Sequence, residues 1–94
     1  MKVILRTHIH RCQLDADKIQ DVTLYHEIEN YAFPIPPHKG YSFNGRQIDQ
    51  VELNTDKPNT VSISLQEVYG LRTVEEIKKE FPGWKIYGRQ GEIV

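Results

Sequence analysis

The sequence has little of what would mark a protein built on disulfides, held in a membrane or strongly charged. Its 94 residues include one cysteine, Cys12, so no disulfide can form within the chain and a reducing compartment is the natural setting. No apolar run approaches the roughly 18 residues of a membrane span, and residues 1–12 lack the continuous apolar core of a signal peptide. We therefore expect a cytoplasmic protein that does not associate with a membrane.

Neither sign of charge is in excess. Twelve Lys and Arg stand against thirteen Asp and Glu, for a formal net charge of −1. A duplex-DNA binder usually carries a basic excess, because phosphate neutralisation supplies most of its affinity. The balance favours a protein partner over nucleic acid. A chain of this length makes one domain, residues 1–94, with a modest core and little volume for a deep, dry catalytic cavity.

Motifs that would name a reaction are also missing. No P-loop, dinucleotide-binding glycine fingerprint, His-Glu-x-x-His or paired Cys-x-x-Cys occurs in the chain. Residues 88–91 match the GxxG loop of KH nucleic-acid domains in their letters only, because that loop lies between two helices and this one follows a predicted strand. The sequence therefore predicts no catalytic residue, no metal and no cofactor.

Two alternating runs near the N-terminus predict strands, because a period of two places one strand face in the core and the other in solvent. In the first run the residues expected to face the core are Val3, Leu5, Thr7 and Ile9, and those expected to face solvent are Lys2, Arg6, His8 and His10. In the second run the residues expected to face the core are Val22, Leu24, His26 and Ile28, and those expected to face solvent are Thr23, Tyr25, Glu27, Glu29 and Tyr31. Residues 14–20 predict a turn or a short helical link between them.

We expect these two strands to pair antiparallel, with Glu27 and Glu29 beside Arg6, His8 and His10. The Pro-rich residues 33–37 predict a polyproline crossing. Asn44-Gly45 is typical of a tight turn. A hairpin is predicted from residues 46–55 and 60–68, with its connection at residues 56–59 and a bulge near Asp49 and Gln50.

The C-terminal quarter predicts one helix and a final strand. Thr73 and Glu76 form a capping box, an apolar stripe runs through Val74, Ile77 and Phe81, and Pro82-Gly83 ends the helix. Residues 84–87 resume a strand. The order β-β-β-β-α-β indicates an α+β fold, either a small antiparallel sheet or a partly open β-barrel, with one short C-terminal helix.

Side chains typical of interfaces gather on the predicted outer face of the first two strands. The predicted partner-binding residues are Arg6, His8, His10, Tyr25, Glu27 and Tyr31. Their mixed charge suits a protein surface, so we expect a non-enzymatic interaction protein, either an adaptor or an inhibitor. A free strand edge also offers a route to a homodimer.

Two alternatives use overlapping residues. The same tyrosines and basic groups would let a small barrel bind single-stranded nucleic acid by base stacking, although Glu27 and Glu29 repel phosphate. The other alternative is a small metal- or histidine-dependent enzyme. Alternation places His8, His10 and Cys12 on one strand face, where imidazoles and a thiolate would ligate zinc.

Overall fold

Strands dominate the computed structural model, which describes residues 1–54 and 56–94. The strands are β1 (Lys2–Asp15), β2 (Lys18–Ile28), β3 (Ser42–Phe43), β4 (Arg46–Leu53), β5 (Thr60–Leu65), β6 (Val68–Thr73) and β7 (Lys85–Tyr87). Within the described residues one helix, α1 (Val74–Glu80), lies between β6 and β7 in the chain. A largely β protein with one short helix near its C-terminus agrees with the predicted α+β class.

The sheet is mixed, so the prediction of an antiparallel sheet was wrong. The strand order is β3-β4-β5-β1-β2-β7, and β6 also pairs with β1. Both β5 and β6 run parallel to β1, whereas β4 is antiparallel to β3 and β5, and β7 is antiparallel to β2. The order has β3 and β7 at its ends, with no pairing between them among the described residues, so it is not closed. Parallel partners come from distant segments of chain, which alternation alone does not reveal.

The chain forms two compact units. The first unit comprises Met1–Arg6 and Glu27–Gln66, and the second comprises Thr7–His26 and Glu67–Val94. Both β1 and β2 contribute residues to each unit. The sequence-based expectation of one domain stays a prediction.

In the first unit, the hairpin of β4 and β5 follows the sequence closely. The predicted bulge is confirmed as a register shift between Ile48 and Gln50. Val61, Ile63 and Leu65 are buried as their parity predicts. The predicted first arm ended at Thr55, which lies outside the described residues. On the first arm Ile48 is buried, whereas Leu53 is 75% exposed although it pairs with the buried Val61.

Turn chemistry and aromatic packing shape the rest of the first unit. Asn44 and Gly45 both adopt positive φ, at 52° and 79°, and join β3 to β4 in the predicted tight turn. Tyr31, Phe33 and Phe43 form a cluster whose ring centroids lie 4.7, 5.4 and 6.1 Å apart. This cluster anchors the start of the Pro-rich segment, which has no regular secondary structure.

In the second unit, a two-residue turn at Ala16 and Asp17 joins β1 to β2. The predicted turn or helical link over residues 14–20 was therefore too long, because most of those residues continue the two strands. A connection this short joins antiparallel neighbours. The carboxylate of Asp15 stabilises the turn by accepting a hydrogen bond from the Ala16 N–H at 2.7 Å.

The helix begins and ends where the sequence predicts. The Thr73 side chain accepts from the backbone N–H of Glu76, and the Glu76 carboxylate accepts from the Thr73 N–H, which is the full capping box. Ile77 and Phe81 face the core at 0% and 4% exposure. A seven-residue helix is not stable alone, so this packing holds it. Among the described residues, no helix has the length and apolar character to cross a bilayer.

The core of the second unit lies between α1 and the strands around it. Its buried members are Ile9, Cys12, Val22, Leu24, Val68, Ile77, Phe81 and Ile86. Cys12 belongs to this core although its parity matches that of the solvated His8 and His10. The pairing of β1 with β6 shifts register between Ile9 and Arg11, and this irregularity turns the strand over before Cys12.

Candidate functional site

The solvated face of β1 in the second unit carries the two predicted histidines. Thr7 and Ile9 are buried at 1% and 0% exposure, while His8 and His10 between and after them are only half-buried, so the predicted alternation is confirmed over this stretch. His8 Nδ1 lies 2.9 Å from Thr23 Oγ1 on β2. That hydrogen bond fixes the ring of His8 on the outer face.

His10 lies between two carboxylates and under an aromatic ring. Its Nε2 is 3.0 Å from Glu67 Oε2, and its Nδ1 is 3.9 Å from Asp21 Oδ2. Nε2 of His10 is shielded from solvent. The angle of its approach to Glu67 falls outside hydrogen-bond geometry, so the two groups make a close polar contact. The ring of Tyr69 stacks on that of His10, with centroids 4.4 Å apart and planes 2° from parallel.

Glu67 connects these groups. Its Oε2 also accepts a hydrogen bond from the Tyr69 hydroxyl at 3.0 Å. Contact with the His10 ring, followed by the hydrogen bond from Tyr69, holds the pKa of the Glu67 carboxyl below its usual value of 4.5. The carboxylate therefore stays ionised and keeps both partners in place through the mildly acidic range.

Tyr25 extends this surface along β2. Its ring meets that of Tyr87 on β7 edge to face, with centroids 5.6 Å apart. Tyr25 has the same parity as Thr23, the partner of His8, and both alternate with the buried Val22 and Leu24. We refer to His8, His10, Thr23, Tyr25, Glu67 and Tyr69 as the imidazole face.

The other three predicted site residues belong to the first unit. Arg6 is exposed and donates to Ser64 Oγ at 3.4 Å. Glu27 is exposed and pairs with Lys2 Nζ at 3.2 Å, and Glu29 lies 3.7 Å from the same Nζ. Among the described residues these glutamates form ion pairs with Lys2 rather than with the predicted Arg6, His8 and His10.

Tyr31 is half-buried in the aromatic cluster of the first unit, where packing against Phe33 and Phe43 uses much of its ring. His26, predicted to lie on the core face of the second strand, is half-buried and stacks on Trp84 with centroids 5.5 Å apart and planes 17° from parallel. This contact gives His26 a structural role.

Cys12 does not join His8 and His10, so the ligand set expected on one strand face is not formed. The thiol has no exposed surface and lies in the core of the second unit. Burial raises the pKa of the Cys12 thiol above its usual value, which disfavours the thiolate that a nucleophile or zinc ligand requires. The sequence-based hypothesis of a zinc site built from His8, His10 and Cys12 therefore lacks its thiolate ligand.

Sequence reasoning missed Glu67 and Tyr69, which reach His10 because the chain enters β6 parallel to β1. No local signal marks that pairing. Comparison of the chain with models of protein families, with curated proteins and with solved structures gave no match. Function is therefore inferred from the geometry of the imidazole face.

Proposed function

We propose that this chain is a non-enzymatic interaction protein of the cytoplasm, an adaptor or inhibitor that binds a partner protein through the imidazole face. The observation that supports this most is the state of Tyr69. Tyr69 is 69% exposed, yet its ring is stacked on that of His10 and its hydroxyl donates a hydrogen bond to Glu67. Tyrosine is among the most enriched anchors of protein interfaces. An anchor that is already fixed loses little conformational entropy on binding.

The charge of the face favours a protein over a nucleic acid. The carboxylates of Asp21 and Glu67 flank His10 and would repel a phosphate backbone. The same carboxylates, beside the exposed ring of Tyr69, suit an arginine or lysine, which can pair with Glu67 and lie over the aromatic ring. We propose a partner that presents a basic side chain at this point.

Capture from extract of the native cells tests the proposal when two tyrosine variants are compared. Tyr69→Ala removes the proposed anchor. Tyr41→Ala is the matched control, because Tyr41 is also exposed, at 49%, and also contacts a histidine, with its centroid 5.3 Å from that of His38. Circular dichroism and thermal unfolding establish that both variants are folded before use.

We expect quantitative mass spectrometry to recover a partner protein with the wild type and with Tyr41→Ala, and to lose most of it with Tyr69→Ala. Equal recovery with Tyr69→Ala contradicts the proposal. Recovery of nucleic acid alone, falling steeply as salt is raised, replaces it with single-stranded nucleic-acid binding. Self-association alone, measured by sedimentation, replaces it with a homodimer.

A further inference from the structure

The edge of β4 in the first unit is only partly covered. On one side β4 pairs with β5 along Ile48 to Leu53. On the other side β3 pairs with Arg46 and Gln47 only, and backbone hydrogen bonds from Gly40 and to Tyr41 then engage Ile48. Beyond Ile48, none of the described residues forms a strand beside β4 on this side. A free strand edge accepts another strand unless something blocks it.

The backbone groups left free can be assigned. The N–H of Asn54 donates to Thr60 O on the β5 side, at 3.2 Å. In an antiparallel pair, successive residues direct their N–H and C=O groups to opposite sides. Glu52 therefore also faces β5, and Val51 and Leu53 direct their N–H and C=O groups away from it. Within the described chain, no backbone hydrogen bond engages these groups of Val51 and Leu53.

A groove runs along this edge, and the prolines of its opposite wall cannot donate hydrogen bonds to the edge. The groove is lined on one side by Asp49, Gln50, Val51 and Leu53 and on the other by Pro36, Pro37, His38 and Lys39. Proline has no N–H, so the facing prolines cannot donate to the carbonyls of the edge. Their fixed φ also keeps the wall stiff, which holds the groove open without an occupant.

The groove is long enough for a short extended segment. Its volume is about 680 Å³. The five residues from Asp49 to Leu53 extend about 17 Å at strand rise, so a segment of similar length can lie along them.

We propose that this groove binds an extended segment of a partner protein, which adds to the sheet as a strand hydrogen-bonded to Val51 and Leu53. A second copy of this chain fits less well, because its own β4 is flanked by β5 and by a proline wall and is wider than one strand. Lys39 and Asp49 carry opposite charges across the groove, so the segment needs no net charge. The exposed side chain of Leu53 favours an apolar residue beside it.

The proposal is tested with the ¹⁵N-labelled full chain and a defined probe. The probe is an end-capped peptide of alternating threonine and valine, with two terminal lysines for solubility. The control peptide has the same sequence with every internal amide N-methylated, which removes the donors along both of its edges. We expect saturable binding of the first peptide only, with hydrogen exchange at the Val51 and Leu53 amides slowed about tenfold or more.

Variants of Leu53 separate the backbone from the side chain. Leu53→Pro removes one outward N–H and leaves the Glu52 and Asn54 bonds to β5 in place, as proline at a free edge allows. We expect it to weaken peptide binding about 2- to 12-fold, the loss of one net hydrogen bond. Leu53→Ala keeps the N–H and should retain more affinity than Leu53→Pro. Tyr69→Ala should bind the peptide as the wild type does, since this site uses none of the imidazole face.

Three results overturn the proposal. They are equal binding of the N-methylated peptide, no saturable binding of the first peptide at millimolar concentration, and binding whose exchange protection falls outside residues 49–53. Protection of Val51 and Leu53 without peptide, together with concentration-dependent dimerisation, assigns the edge to a second copy instead. Because the peptide comparison uses the wild-type chain, a variant that does not fold leaves the test intact.

Discussion

Replacing Glu67 with glutamine tests the electrostatics of the imidazole face. The change keeps the size of the side chain but removes the charge that contacts His10 at 3.0 Å and accepts from the Tyr69 hydroxyl. The His10 and Glu67 side chains are 32% and 38% exposed, so solvent screens their pairing. Exposed contacts of a carboxylate contribute about 0.2–1 kcal/mol even when the partner carries a full charge. With Tyr69 as a second partner, we expect a loss near the upper end of that range, about 0.5–1 kcal/mol.

The loss should depend on pH in a defined direction. The pKa of Glu67 is lowered in the folded state from 4.5, so the folded protein binds this proton more weakly than the unfolded chain does. The stabilisation is therefore complete above the unfolded pKa and disappears as the pH falls through the lower folded pKa. The difference between wild type and Glu67→Gln should be largest near neutral pH and close to zero in strong acid.

Urea unfolding, followed by the fluorescence of the single tryptophan, Trp84, measures this difference at pH 7, 5, 4 and 3. Asp56→Asn is the control, since it removes a carboxylate from an exposed turn where asparagine is equally suited. A difference that stays constant with pH, or grows in acid, would refute the coupling between Glu67, His10 and Tyr69.

Three further predictions concern the second unit. Ile77→Ala should destabilise the protein by about 2–5 kcal/mol in urea unfolding, because Ile77 is fully buried and anchors α1; a loss under 1 kcal/mol would contradict the packing. Thr73→Ala should cost about 0.5–2 kcal/mol and Thr73→Ser much less, since serine also caps; equal losses would exclude the capping box. Cys12 should react with a maleimide slowly at pH 8 in the folded protein and rapidly in urea, because burial raises the pKa of its thiol; equal rates would place it outside the core.

Local signals in this sequence predicted local structure well. Asn44-Gly45 specifies its turn because both residues adopt positive φ readily, and Thr73 with Glu76 specifies a helix start because each satisfies a free backbone N–H. The bulge before Gln50 is visible as a break in apolar phase. Each of these features depends on residues a few positions apart.

Pairings between distant segments were not predictable in the same way. The parallel pairing of β5 and β6 with β1 joins residues more than fifty positions apart, and alternation carries no information on partner or direction. The error at Cys12 follows from register, which a single bulge changes, and the ion pair of Glu27 with Lys2 depends on side-chain reach, which alternation does not encode. The histidines of the site were therefore predictable, but Glu67 and Tyr69 were not.

The most direct test of the central claim is hydrogen exchange of the full chain with and without the partner recovered by wild-type capture and then purified. The imidazole face predicts slower exchange at the amides of residues 8–10 and 67–71, together with a loss of affinity of about tenfold or more in Tyr69→Ala, the size expected of an interface anchor. Unchanged exchange in both segments, with unchanged affinity in Tyr69→Ala, would contradict it.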